Sequence, residues 1–297
     1  MVIWRFTDGR RGHDAQSRGL AQAIGRIERV DCHDLAVPGF ARSLAQFLRL
    51  RPAPGQDRPD PDLLIGAGHA THLPLLAARR RRGGRAIVLM SPSVPPAWFD
   101  FCLIPEHDDP PPRGNIIATR GPLNCIVAAP AHASDQGLIL IGGPSPHYLW
   151  RQDELLGQIK TILAGPIRDW CVADSPRTPL AARAALRALS GNGVRFVAHE
   201  ETGTDWLPAQ LARAATVWVS PDSLSMIYEA LSAGAGVGVL DLPVRRRGRV
   251  SRALELLAAN AEITTYRRWR AGSRLTPPAQ PLREADRCAE LLLQRLP

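Results

Sequence analysis

Short apolar runs alternating with stretches of helical spacing constrain this chain more than any other feature. Runs at 2–7, 63–66, 85–90, 101–104, 116–118, 137–141, 169–173, 194–198, 217–220 and 236–240 read as buried strands. Helical patterns lie at 15–26, 40–48, 71–80, 155–163, 179–189, 209–214, 225–231, 249–259 and 284–296. Strands separated by helices of about ten residues predict parallel α/β sheets. The series starts twice, once at Val2 and again at Gly137, and 128–136 reads as a linker of small and polar residues. At 297 residues the chain is long for one core. Two domains are therefore expected, 1–130 and 131–297, with the last helix free to cross back to the first. Paired open α/β domains would place a ligand outside the carboxyl ends of their strands.

Composition removes several function classes. Hydrophobic residues make up 45% and charged residues 22%, an ordinary globular balance. No apolar run reaches the ~18–20 residues of a membrane span. The first residues run straight into a strand, without the basic region and cleavage site of a secretion signal, so a cytoplasmic protein is expected. Cys32, Cys102, Cys125, Cys171 and Cys288 are scattered, with no CxxC and no zinc spacing, which excludes a disulfide scaffold or a structural zinc protein. The net charge is +9, carried by arginine except for Lys160. It concentrates in Arg79–Arg82 with Arg85, and in Arg245–Arg247 with Arg249. Such clusters suit anionic substrates or lipid heads. Aromatic residues do not interleave with them, so nucleic acid is not an expected partner. Apolar exposure near Trp98 and Phe99 beside the arginines would favour peripheral contact with the inner face of a membrane.

Several predicted strand ends carry chemistry. The run 215–219 leads into Ser220-Pro221-Asp222-Ser223-Leu224-Ser225-Met226 and a helix. Small polar residues between a strand and a helix N-terminus make an anion site, because free N–H groups and the helix dipole face outward. Glu229, one turn further, is placed to meet ribose hydroxyls, although Asp222 or Ser223 could equally be ordinary caps. Gly142-Gly143-Pro144-Ser145 could admit a phosphate to the backbone. In Asp174-Ser175-Pro176-Arg177-Thr178-Pro179, Ser175 and Thr178 offer hydroxyls and Arg177 a fork that fits phosphate oxygens. Three strand-end loops able to meet one diphosphate raise nucleotide binding above the alternative.

In the first half, Thr7-Asp8-Gly9-Arg10-Arg11-Gly12-His13 joins a strand to a helix. Gly9 and Gly12 let the backbone bend toward a ligand. His13 and Asp8 are the candidate proton acceptors, since imidazole titrates near neutrality. Gly68, before His69 and His72, is expected to line the cleft. The two histidines have no apparent third ligand, so no metal is expected. Glu106 and His107, after the run 101–104, are second-rank cleft candidates. There is no Walker loop and no GxGxxG.

These motifs together resemble a known family. They are Thr7-Asp8-Gly9, Gly12-His13, Gln16-Ser17, Gly19-Leu20, Asp62 to Gly68, Pro105-Glu106-His107-Asp108 and Thr119-Arg120-Gly121. In the second half they are Ile141-Gly142-Gly143-Pro144-Ser145, Ser175 with Arg177-Thr178-Pro179, and Asp222 to Met226 with Glu229-Ala230. In this order, over nearly the whole chain, they look like the plant mitochondrial-fission (elongated-mitochondria) family and its bacterial relatives. The resemblance implies an α/β fold of two Rossmann-like domains facing a central cleft, the GT-B-like glycosyltransferase fold. It implies a glycosyltransferase that moves a sugar from a nucleotide-sugar to an unknown acceptor, lipid-linked or glycan, with no cofactor and no metal. The alternative is a non-catalytic scaffold related to the fission factor. Some relatives carry an epimerase label, which the lack of GxGxxG and of a Tyr-x-x-x-Lys pair argues against. Where the family tends to have Asn-Pro-Tyr, this chain has Glu201 to Trp206, the place where base or donor recognition would differ.

On this reading the diphosphate meets Gly143, Ser145, Ser175, Arg177, Thr178, Asp222, Ser223, Ser225 and Met226, the ribose meets Glu229, and His13 or Asp8 deprotonates the acceptor.

Overall fold

A computed structural model describes every residue except 53, 56, 129–132 and 297, and of 133–135 only the backbone. Most of the expected linker lies on those residues. The chain divides into two compact units, Met1–Cys125 with the segment from Arg283 onward, and Ile126–Leu282. The chain's last helix therefore belongs to the first unit.

The first unit is a six-stranded sheet of β1 (Val2–Thr7), β2 (Asp31–Ala36), β3 (Leu63–Ala67), β4 (Arg85–Leu89), β5 (Phe101–Pro105) and β6 (Ile116–Thr119). Every neighbouring pair is parallel and the order is β2-β1-β3-β4-β5-β6. A parallel sheet is covered on both faces, so its strands read as continuous apolar runs. The period-2 alternation of side chains sorts them into two cores. Ile3, Leu63, Ile65, Ile87, Leu89 and Leu103 face α1 (Arg11–Gly25) and the final helix α10 (Glu284–Arg295). Trp4, Phe6, Leu64, Val88, Cys102 and Ile104 face α3 (His72–Arg82), against which α2 (Phe40–Phe47) also packs. Glu284 anchors α10 by accepting from the Arg120 backbone N–H at 3.1 Å.

The second unit repeats the plan with β7 (Ala133–Leu140), β8 (Asp169–Ala173), β9 (Val194–Val197), β10 (Ala214–Val219), β11 (Gly236–Val239) and the short β12 (Thr264–Thr265). From one edge the order is β9-β8-β7-β10-β11-β12, all parallel. That is the doubly wound order of dinucleotide-binding folds, and the order reverses between β7 and β10. The helices are α4 (Gln152–Leu163), α5 (Leu180–Arg187), α6 (Trp206–Arg213), α7 (Leu224–Ala233), α8 (Arg249–Ala259) and the short α9 (Tyr266–Arg270). Gly234, at φ 84, closes α7 in the left-handed conformation that glycine adopts without a Cβ clash.

Two tryptophans fix this sheet. Trp170 on β8 lies beside Gly137 on β7, and Trp218 on β10 beside Gly238 on β11, each a register partner. A Cβ on Gly137 would come within 2.4 Å of the Trp170 ring, and one on Gly238 within 2.5 Å of the Trp218 ring. Each glycine clears the space its neighbour's indole fills. Gly238→Ala should therefore overpack the core and cost about 1–3 kcal/mol, seen as a lower urea midpoint with an unchanged slope.

Candidate functional site

In open α/β sheets ligands bind at the carboxyl edge where the strand order reverses. In the second unit that point lies between the loop after β7 (Gly142 to Ser145) and the loop after β10 (Ser220 to Ser223). Asp222, with 1% of its side chain exposed, ties these loops together. It accepts from the Gly143 N–H at 3.0 Å and the Ser220 hydroxyl at 2.7 Å, and pairs with Arg177 at 2.8 Å. Ser220 in turn accepts from the Gly142 N–H at 2.8 Å. The Thr178 hydroxyl donates toward the carbonyls of Gly142 and Ile141, and accepts from the Ser175 N–H at 3.0 Å. The Ser175 hydroxyl lies 3.3 Å from that of Thr178 and accepts from the Arg177 N–H at 3.3 Å.

This geometry corrects part of the expected binding set. The Gly143 amide is spent on Asp222, and a Cβ there would sit 2.1 Å from the Arg177 carbonyl, so the glycine answers to loop packing rather than to phosphate approach. Ser175 and Thr178 are buried and mutually bonded. Asp222, Ser175 and Thr178 build the floor of the site. Ser145 accepts from the N–H groups of His147 and Tyr148 and turns the loop.

What remains unspent lies on α7. Ser223 is its N-cap residue but makes no side-chain capping bond. The N–H groups of Leu224, Ser225 and Met226 make no hydrogen bond among the described residues. They are the orphan donors of a ten-residue helix whose dipole favours an anion. Glu229 is four residues after Ser225 and three after Met226, on the same helical face. It is half-buried, makes no hydrogen bond among the described residues, and burial pushes its carboxyl up to about 7. Beside this edge, Pro144, Ser145, Pro146, Arg245 and Arg246 line a wide open depression. The loop after β11 is pinned there, because the Arg245 and Arg246 N–H groups donate to the His147 carbonyl at 2.8 and 3.2 Å and Tyr148 bridges Val244. The guanidinium groups of Arg245, Arg246 and Arg247 have no partner among the described residues.

Sequence reading missed a second network on this edge. Arg183 on α5 pairs with Asp174 at 2.5 Å and Glu200 at 2.7 Å, and its Nη2 lies 3.0 Å from His199 Nδ1. Asp174 also accepts from the His199 backbone N–H at 2.6 Å. Asp174, His199 and Glu200 are spaced like metal ligands, but the Arg183 guanidinium already supplies the positive charge among them. The signal available was a strand-end Asp and a His-Glu-Glu run after the next strand.

In the first unit the order reverses between β1 and β3. His13 lies in the first turn of α1, which begins at Arg11 rather than at Ala15, so Gly12 is an exposed helical residue and not a loop hinge. Its Nδ1 is 2.8 Å from Asp8 Oδ2, and Asp8 also accepts from the Arg10 N–H at 3.1 Å. Nδ1–H to the carboxylate leaves Nε2 as the open ring acceptor. Gly9 (φ +76) and Gly68 (φ +80) take left-handed conformations, and a Cβ on Gly68 would stand 2.3 Å from the His13 ring. His13, Asp8, Gly9 and Gly68 are thus brought together at the switch point. Glu106 and His107 follow β5, two strands away from β3. His69 is exposed whereas His72 is buried, its Nδ1 3.2 Å from the Ser93 hydroxyl, and burial pushes its imidazole down to about 4. The two do not form a ligand pair.

The family model described as mitochondrial fission ELM1 matches residues 11–296. The chain belongs to that family. No curated protein matches it. Among solved structures, this ELM1-family protein is similar to UDP-GlcNAc 2-epimerase from Neisseria meningitidis bound to UDP-GlcNAc, at 10% identity and TM-score 0.57, over 99% of each chain. It is similar to the glycotransferase of kitacinnamycin at 15% identity and TM-score 0.55, over 100% of this chain and 99% of that one. A further UDP-N-acetylglucosamine 2-epimerase aligns at 14% identity and TM-score 0.56, over 99% and 95%. These likenesses show the fold, a GT-B-like α/β fold of two Rossmann-like units. Epimerases and a glycotransferase share it, so absent dinucleotide motifs do not separate those chemistries in this family member.

Two measurements test the site. Asp222→Ala leaves Arg177, Ser220 and the Gly143 amide without their acceptor and should cost about 3 kcal/mol in denaturant unfolding. Glu229 has its folded pKa raised, so the folded state holds a proton that the unfolded state releases first. Its presence therefore weakens stability as pH rises from the ordinary carboxylate range through about 7. Glu229→Gln should stabilise the protein by on the order of 2 kcal/mol at alkaline pH and hardly at all at acid pH, read from urea midpoints.

Proposed function

We propose that this protein is a glycosyltransferase that takes a sugar from a nucleotide-sugar bound on the second unit. One observation carries the reading. The uncapped amides of Leu224, Ser225 and Met226 share a helical face with a partnerless, desolvated Glu229 at the point where the strand order reverses. Amides and dipole suit a diphosphate, and a carboxylate one turn inward suits the ribose hydroxyls, which donate to it. Similarity to a fold that holds UDP-GlcNAc in the Neisseria enzyme supports the donor class.

The residues suggest how transfer would run. The acceptor hydroxyl gives its proton to His13 Nε2 while Asp8 holds the ring and balances the imidazolium. The acceptor oxygen bonds to the sugar's anomeric carbon, and the bond from that carbon to the phosphate oxygen breaks. The nucleoside diphosphate leaves with the electron pair, its charge met by the α7 amides and by Arg245 and Arg246. In this reading protein groups alone stabilise the leaving diphosphate.

A thermal-shift panel of UDP, GDP, CMP, ADP and dTDP, with Glu229→Ala beside the parent, tests it. One nucleotide should raise the melting temperature selectively, and Glu229→Ala should weaken it by about 1.5–3 kcal/mol in calorimetry. Affinity should increase as pH rises through about 7, since the ionised Glu229 is the better acceptor, and Glu229→Gln should flatten that dependence. No shift with any nucleotide would overturn the reading in favour of a scaffold. The fold's epimerases supply a second reading, which the product distinguishes: a donor sugar isomerised with no acceptor present means epimerase, and a sugar retained until an acceptor is added means transferase.

A further inference from the structure

Helix α2 is built inside out. Its polar residues Ser43 and Gln46 are 2% and 5% exposed, whereas Phe40 is 75%, Leu44 36% and, just past the helix, Leu48 55% and Leu50 75% exposed. Phe40, Leu44 and Leu48 are spaced by four, so they form one outward stripe. Trp98, 41% exposed, stacks on Phe47 at 6.1 Å, and the Arg80 guanidinium lies 4.1 Å from the centre of the Phe47 ring. Phe99, its expected companion at the surface, is buried.

The charge around this stripe has one sign. No Asp or Glu lies between Asp34 and Asp57, or between Asp62 and Asp100, while Arg42, Arg49, Arg51 and Arg79 to Arg82 fall within those stretches. Arg79 and Arg82 pair with Asp100 and Asp60. Arg80 and Arg81 instead donate to the carbonyls of Phe47 and Arg49, holding uncompensated cations against the helix. Arg42, Arg49 and Arg51 are exposed and have no carboxylate partner among the described residues.

We propose that this face docks on the surface of a bilayer containing anionic lipid, with Phe40, Leu44, Leu48 and Trp98 entering the headgroup boundary and the arginines meeting lipid phosphates. An apolar stripe flanked by arginines with an amphipathic Trp beside it is the chemistry of an interfacial helix. A second copy of the chain fits less well, because a two-fold contact would set this arginine cluster against itself. The surface lies wholly in the first unit and stands apart from the nucleotide reading.

Flotation of the full chain with vesicles tests it, using phosphatidylcholine alone and phosphatidylcholine with about one-third phosphatidylglycerol. The protein should float with the anionic vesicles only, and added salt should release it. Phe40→Ser with Leu48→Ser, and separately Arg42→Gln with Arg49→Gln and Arg51→Gln, should each lower the partition coefficient by about tenfold or more. Neither variant should alter the melting temperature by much, because every altered side chain is exposed. Failure of the parent to float, or variants that float as it does, would overturn the proposal. So would a dimer in light scattering that Phe40→Ser dissociates, since the face would then be a contact between copies.

Discussion

One buried carboxylate organises the carboxyl edge of the second sheet. Asp222 links the loops after β7, β8 and β10, through the Gly143 amide, Arg177 and the Ser220 hydroxyl respectively. A buried ionised carboxylate is costly unless its lone pairs are used, and here three donors use them. The strain-free way to supply those donors is to bring the loops together, which is why Gly142 and Gly143 carry no side chain at their crossing. The edge is thereby preorganised, and what projects from it does so from a fixed base.

The polar groups of this edge fall into two sets, spent and unspent. Ser175, Thr178, Ser220 and Asp222 bond to one another or to backbone. The first amides of α7 do not, although Ser223 stands in the capping position. Contrast α9, where Thr265 does cap, accepting from the Arg268 N–H. Ser223 stands at the N-cap and yet the first-turn amides of α7 have no partner among the described residues, which is the opening the proposed anion site uses. Glu229 belongs to the same unspent set, and an unpaired carboxylate in a half-buried place is a standing cost that a hydroxyl-bearing ligand would relieve.

Much of the fold was legible because parallel strands covered on both faces advertise themselves as apolar runs. The exception is β2, Asp31-Cys32-His33-Asp34-Leu35-Ala36, an edge strand largely open to water, which carries no such run. The short β12 likewise has too few residues to show a period. The site was legible as a set of strand-end loops, since a switch point needs small and polar residues there. Which of them face outward was not, because serine, threonine and aspartate have the same letters whether they meet a ligand or a neighbouring loop. Asp222 shows the ambiguity: its position suggested phosphate, and two of its three internal donors, Gly143 and Arg177, are distant in sequence. The inverted helix α2 was hidden for the opposite reason. Its apolar spacing is that of any core helix, and only the burial of Ser43 and Gln46 reveals which side faces in.

Two Asp–His pairs in this protein show how environment sets a role. His199 Nδ1 faces Asp174 at 3.2 Å, Glu200 at 3.3 Å and the Arg183 Nη2 at 3.0 Å. The arginine donates to that nitrogen and pairs with both carboxylates, so the imidazole is engaged within a closed network. His13 meets Asp8 alone at close range, the nearest cation being Arg10 at 4.0 Å from that carboxylate. Its Nδ1 proton is oriented by the Asp8 carboxylate, and Nε2 is left for a proton from outside. Gly68 removes the Cβ that would otherwise occupy the ring's place, so the imidazole is held by packing as well as by its hydrogen bond. The first pair is a structural clamp at the end of two strands. The second has the orientation and the open nitrogen that a general base uses, and in the proposed reaction it supplies that base.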